Sequence, residues 1–98
     1  MDVTFKDLAL NHLETDPATT GGYPPGVVKA FRKRMQGIRS ADDERNLHAM
    51  KSWHFEKLKG RRDHQRSIKL NDQYRLILEL EGSGEQKRVL IIGIEDYH

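Results

Sequence analysis

A chain of 98 residues supplies one domain and is too short for two. With 33% charged and 36% hydrophobic residues it has a small core under a highly polar surface. No apolar run approaches the ~20 residues of a membrane span and no signal-peptide pattern opens the chain, so it reads as a cytoplasmic protein without membrane contact. The absence of cysteine excludes a disulfide framework and a thiolate zinc site.

The apolar residues are patterned. Val3-Thr4-Phe5 alternates and predicts a short edge strand. Leu8, Leu10 and Leu13 form a weak helical repeat over residues 7–13. Residues 15–26 hold all three prolines and three glycines and predict a loop. Pro24-Pro25 then opens the strongest helix: Val27, Val28, Phe31, Met35 and Ile38 fall on one stripe, with Lys29, Arg32 and Lys33 away from it. Ser40, with Asp43 three positions on, is expected to cap a second short helix that buries Leu47 and Met50. After Ser52 the period becomes alternating. Residues 53–58 read as a strand ending at Gly60, with Trp53 and Phe55 assigned to the core, and 61–65 as a charged loop. Strands are expected over 66–70 and 74–81, joined across Asn71-Asp72-Gln73, where Asn and Asp tolerate left-handed turn geometry. Gly82-Ser83-Gly84 makes another tight connection. The near-continuous apolar run 88–94 has the character of a central strand buried on both faces. The order predicts a single α+β domain over 1–98, with N-terminal helices packed on one face of a twisted, mainly antiparallel, four- to five-stranded sheet.

A net charge of +2 conceals a marked asymmetry. Residues 57–75 carry seven Lys/Arg against two Asp, a balance of +5, and residues 29–39 add five bases and no acid. Any single lysine is more readily a solvated side chain. The concentration nevertheless points to a polyanionic partner, with Lys57, Arg61, Arg62, Arg66, Lys69, Lys29 and Lys33 as candidate RNA contacts.

The chain closes on Glu95-Asp96-Tyr97-His98, directly after the most apolar strand. Alone, these residues read as a frayed polar tail; behind an anchored strand they become candidates for chemistry. Metal-free RNA cleavage needs a base for the ribose 2′-OH, cations for the pentacovalent phosphorane and an acid for the leaving 5′-oxygen. His98 titrates near neutrality and suits either proton role. Arg75 offers a fork for phosphate oxygens and Lys59 a point charge. Glu56 is a possible base, and Tyr97 brings a hydroxyl and a stacking ring. Because Tyr74, Leu76, Leu78 and Leu80 share one strand face, Arg75 is expected on the other, away from the helices. The five histidines show no metal-ligand spacing, and neither a metal nor another cofactor is expected.

Leu58-Lys59-Gly60, the run Ser67-Ile68-x-x-Asn71-x-x-Tyr74-Arg75 and the terminal Glu95-Asp96-Tyr97-His98 together resemble the HigB branch of the RelE-like toxins. The resemblance spans nearly the whole chain, including the first strand and the helices. It implies ribosome-dependent, metal-independent mRNA cleavage and an antitoxin, expected to be a HigA-like helix-turn-helix protein through which alone DNA is contacted. It also places Lys59, Arg75, Asp96, Tyr97 and His98 at catalytic and phosphate-contacting positions. Two departures stand out. Glu56 occupies the position of a family histidine, with His54 two residues earlier. In an ideal strand His54 and Glu56 share a face, so Glu56, His54 and Asp96 all remain open as the base. Arg66 stands where an aromatic residue usually precedes Ser-Ile. The competing expectation is the same fold without nuclease activity, as a ParE-like gyrase inhibitor or an inactive paralogue. The Tyr97-His98 ending argues against the first, while Glu56 and Arg66 keep the second open.

Overall fold

A computed structural model describes residues 1–83 and 86–97. Among them lie β1 (Asp2–Phe5), α1 (Leu8–Thr15), α2 (Pro25–Ser40), α3 (Glu44–Ala49), β2 (Glu56–Lys57), β3 (Gln65–Lys69), β4 (Tyr74–Glu81) and β5 (Arg88–Asp96). Gly84 of the expected glycine turn, together with Glu85 and His98, lies outside the described residues.

Local chemistry accounts for the helix boundaries. Asp7 caps α1 by accepting the Ala9 amide at 2.9 Å. Pro25 occupies the first turn of α2, where its missing N–H costs nothing, and the whole predicted stripe is buried. Ser40 does not cap the next helix. It ends α2, and its hydroxyl donates to the Gln36 carbonyl at 2.9 Å. The cap of α3 is Asp43, whose carboxylate accepts the Arg45 amide at 2.8 Å while the Asn46 side chain reaches back to the Asp43 amide at 3.1 Å. Leu47 is buried as expected, but Met50 lies past the helix end and is 45% exposed.

The sheet runs β1-β5-β4-β3-β2, with β1 parallel to β5 and every other pairing antiparallel. The expected edge position of β1 and inner position of β5 hold, but β5 is not buried on both faces: only Val89 and Ile91, which turn toward the helices, are fully buried, while Leu90 and Ile92 are partly exposed. The segment 53–58 departs from expectation. Lys51–Trp53 form a 3₁₀ turn, His54 is left-handed (φ 46°), and only Glu56–Lys57 pair as strand. The reason lies in packing: the Trp53 indole is pressed against Gly37 of α2, and Trp53 and Phe55 are both buried. The chain therefore reaches its two inward aromatics through a kink rather than an extended strand, and the shared-face relation of His54 to Glu56 does not arise.

β3 starts one residue earlier than predicted, and a 3₁₀ turn (Gly60–Arg62) sits in the charged segment before it. At 71–73 the turn uses no left-handed residue, since His54 is the only non-glycine with positive φ among the described residues. Asn71 acts instead as an acceptor, taking the Gln73 and Tyr74 amides at 2.8 and 2.7 Å. A bulge interrupts the β4–β5 ladder: Ile77 pairs with Gly93 but Leu78 with Ile91. The tail is anchored as far as Tyr97, whose amide donates to the Gln73 carbonyl at 2.6 Å.

Ile68, Leu70, Leu76, Leu78, Val89 and Ile91 pack with Leu10, Leu13, the α2 stripe and Leu47 in one core. The helices thus cover one face of the sheet. Pairing register puts Glu56, Ser67, Lys69, Arg75, Ile77 and Glu95 on the other.

Candidate functional site

The open face is organised around Arg75. Alternation along β4 turns Leu76 into the core and Arg75 away from it, as the sequence pattern predicts. Its Nη1 donates to Ser67 Oγ at 3.0 Å and to the His54 carbonyl at 3.4 Å, and lies 3.9 Å from Glu56 Oε2. The guanidinium stands 5.5 Å from the centre of the Tyr97 ring, within cation–π range. Three strands and the C-terminal segment therefore converge on one half-buried cation. All of its hydrogen bonds to described residues leave from a single nitrogen, so the arrangement suits a phosphate oxygen approaching the remaining donors. Tyr97 is 45% exposed and presents a ring at the rim of this face. Ser67, buried to 1%, is the acceptor that fixes Arg75.

The other candidates divide. Glu56 joins the cluster. Lys59 is exposed at the start of the Gly60–Arg62 turn, on a hairpin held by the Leu58 amide donating to Gln65 O at 3.1 Å. Asp96 does not join. It pairs with Tyr74, which packs toward the core, and its Oδ2 accepts from Gln73 Nε2 at 3.0 Å. Neighbours in a strand point to opposite faces, so Asp96 is turned away from Glu95 and Arg75. His98 lies outside the described residues.

The bases do not form one patch. Arg62 is bound to Glu95 through both carboxylate oxygens, at 2.9 and 2.6 Å, and its Nε donates to Gln65 Oε1 at 2.9 Å. Hydrogen bonding to Glu95 raises the Arg62 guanidinium further above its already high protonation range. Lys69 pairs with Asp72 at 3.1 Å. Lys57 and Arg66 face each other across β2 and β3 on the opposite side of the sheet from Arg75. Arg66 donates to the Asp63 and Gln65 carbonyls. Arg61 is exposed in the turn. Of the five bases on α2, three serve the fold. Arg32 binds the Leu13, Asp16 and Thr19 carbonyls, Arg34 binds Lys69 O and lies over Trp53, and Arg39 pairs with Glu14. Lys29 and Lys33 are exposed on α2, which packs on the face of the sheet opposite Arg75, and both line a groove of about 360 Å³ together with Pro17, Thr19 and Thr20.

Sequence reasoning assigned no role to Ser67, and none to Glu95 beyond its place in the polar closing run, although both lie within the motifs that carry the resemblance. A serine alternating with inward apolar residues looks solvent-exposed until the register places it beneath Arg75. Among the described residues no group of three His, Asp or Glu gathers as a metal site, and no helix is long and apolar enough to cross a membrane.

Residues 3–97 match the family model described as "RelE-like toxin of type II toxin-antitoxin system HigB". No curated protein matches the chain. Among solved structures the fold is similar to a YoeB/ParE toxin from Agrobacterium tumefaciens, with a TM-score of 0.62, 17% identity and 100% of both chains covered. At that identity the likeness concerns the fold, helices laid on one face of a five-stranded sheet.

Proposed function

This chain belongs to the HigB-like family of RelE-like toxins from type II toxin–antitoxin systems, and on that premise we propose that it is an endoribonuclease that cleaves mRNA on the ribosome and arrests translation. The observation that carries the reading is the setting of Arg75, held by Ser67 and the His54 carbonyl beside Glu56 and under Tyr97. A guanidinium fixed in advance stabilises phosphorane charge with little reorganisation.

In this mechanism the Glu56 carboxylate takes the 2′-OH proton, and the 2′-oxygen attacks the adjacent phosphorus. Arg75 and Lys59 stabilise the charge on the phosphorane oxygens. The bond from phosphorus to the 5′-oxygen breaks as that oxygen takes a proton from His98. The products are a 2′,3′-cyclic phosphate and a 5′-hydroxyl. Tyr97 stacks on a neighbouring base. Asp96, turned to the other face, takes no direct part. An antitoxin is the partner that membership in a type II system implies, and we assign it to the HigA-like helix-turn-helix type.

Adding the purified protein to translating ribosomes and mapping mRNA 5′ ends tests the reading. The wild type should produce discrete, codon-linked cuts. Arg75→Ala, folded to the same melting temperature, should lose roughly 10²–10³-fold in rate, and His98→Ala roughly 10²–10⁴-fold. Toxicity without cuts, accompanied by gyrase-dependent DNA damage, would replace the nuclease reading with one of toxicity by binding.

A further inference from the structure

We propose that Arg62 and Glu95 form a positioning latch that locks the Lys59-bearing turn to the C-terminal strand leading into Tyr97 and His98, rather than Arg62 serving as an RNA contact. The kinetic consequence rests on the nuclease reading; the structural one does not.

The two halves of the candidate site sit on separate parts of the fold. Lys59 opens the 3₁₀ turn Gly60–Arg62 between β2 and β3, while Tyr97 follows β5. The sheet order places β3 and β4 between them. Among the described residues, the only hydrogen bonds or ion pairs joining that turn to β5 are those of Arg62 with Glu95. Arg62 ends the turn that Lys59 begins, so holding Arg62 restricts the backbone of Lys59. Glu95 shares the open face with Arg75, its cross-strand partner, and stands two residues before Tyr97. Ile77 and Ser67, which face the same way from the two intervening strands, are 0% and 1% exposed.

The use of nitrogen donors separates Arg62 from Arg75. Each of the three guanidinium nitrogens of Arg62 already has a protein acceptor: Nε on Gln65, Nη1 and Nη2 on the two Glu95 oxygens. Gln65 is itself held through its Nε2 donating to Glu79 at 3.1 Å. The fork that would meet a phosphate is filled by a carboxylate of matching geometry. Lysine, with a single ammonium, cannot reproduce that two-point contact.

The test compares wild type with Arg62→Ala, Glu95→Ala, Arg62→Lys and the exchange R62E/E95R. Three quantities are measured: ribosome affinity, single-turnover cleavage at saturating ribosomes, and hydrogen exchange in peptides covering the Leu58 and Tyr97 amides. A latch predicts that the three single variants lose roughly 10- to 100-fold in saturated rate, the scale of a reactant misplaced by an ångström, with ribosome affinity unchanged. Both peptides should exchange faster, and the exchanged pair should recover rate and protection together. Tighter ribosome binding by Glu95→Ala with full cleavage would identify Arg62 as an RNA contact and overturn the latch, as would an exchanged pair no better than the single variants. If the wild type does not cleave but protection still follows the pair, the nuclease reading fails and the latch stands. Unchanged protection in single variants of a cleaving wild type rejects the latch alone.

Discussion

Replacing Gly37 with alanine sets two opposing effects of known size against each other. Gly37 lies in the fourth turn of α2, where alanine is favoured over glycine by ~1 kcal/mol of helix propensity. A Cβ at this position, however, would stand 2.5 Å from Cη2 and 2.7 Å from Cζ2 of Trp53. Restoring ordinary contact requires the indole to retreat by roughly 1 Å, because carbon atoms pack at about 3.5–4.0 Å. The ring is rigid and 6% exposed, and it cannot turn aside as the end of a flexible side chain would. Overpacking of this kind costs about 1–3 kcal/mol, and displacement also weakens the contact with Arg34, 5.4 Å from the ring centre, worth about 0.5–1 kcal/mol. Subtracting the propensity gain leaves a destabilisation of about 1.5 kcal/mol, equivalent to a fall of roughly 6–12 °C in Tm for a domain of this size. Gly26, in the first turn of the same helix, is the control, because a methyl group added there would meet nothing within 4 Å. Gly26→Ala should be neutral or raise Tm slightly. Thermal melts of both variants decide the matter. An unchanged or higher Tm for Gly37→Ala would refute the claim that the Trp53 contact dictates the path of the chain into β2. The same displacement should loosen the His54 carbonyl from Arg75 and slow cleavage even at temperatures where the variant is folded.

His54→Gly separates backbone from imidazole: relief of left-handed strain, about 1–2 kcal/mol, outweighs the added freedom of the unfolded chain, about 0.4–1 kcal/mol, and the carbonyl bonded to Arg75 remains. Melting should shift slightly upward with cleavage retained, whereas a loss beyond about 10²-fold in a folded variant would reinstate the imidazole as the base. Lys29→Glu with Lys33→Glu should weaken ribosome binding most at low salt and leave the saturated cleavage rate unchanged, because these lysines lie on α2, which packs on the face of the sheet opposite Arg75; titrations at two salt concentrations that give unchanged affinity would remove this surface from ribosome recognition. Hydrogen bonds from the Arg45 side chain, then from its amide, hold the Asp43 carboxyl below the usual carboxylate range. A lowered folded-state pKa contributes stability above the unfolded-state value of about 3.9 and loses it as pH falls through the folded-state value. Asp43→Asn keeps a capping acceptor but does not titrate, so its melting temperature should fall less than that of the wild type between about pH 5 and pH 2; parallel pH profiles would show that this cap contributes nothing to acid lability.

Much of the architecture was legible in the order of residues, because it depends on periodicities that a single element expresses alone. The α2 stripe, the Pro/Gly loop, the limits of β4 and the inner position of β5 follow from side-chain repeats, and they suffice to put Arg75 on the face away from the helices. The motifs that carry the family resemblance were equally visible, since they are runs of chain. Where two elements had to meet, sequence alone failed. Trp53 to Leu58 alternates like a strand, but the meeting of Trp53 with Gly37 turns its first residues into a 3₁₀ turn and a left-handed kink. Ser40 and Asp43 are both competent caps, and only the length over which α2 continues to bury its stripe decides between them. The parallel pairing of β1 with β5 joins the two ends of the chain and leaves no local trace. Charge was the least legible property. The bases counted along residues 29–75 look like one cationic surface, yet tertiary contacts commit Arg32, Arg34 and Arg39 to the fold, bind Arg62 to Glu95, and place Lys57 and Arg66 on the face opposite Arg75. Composition fixes how many charges a chain carries; which of them remain available to a partner depends on the acceptors that folding brings within hydrogen-bond reach.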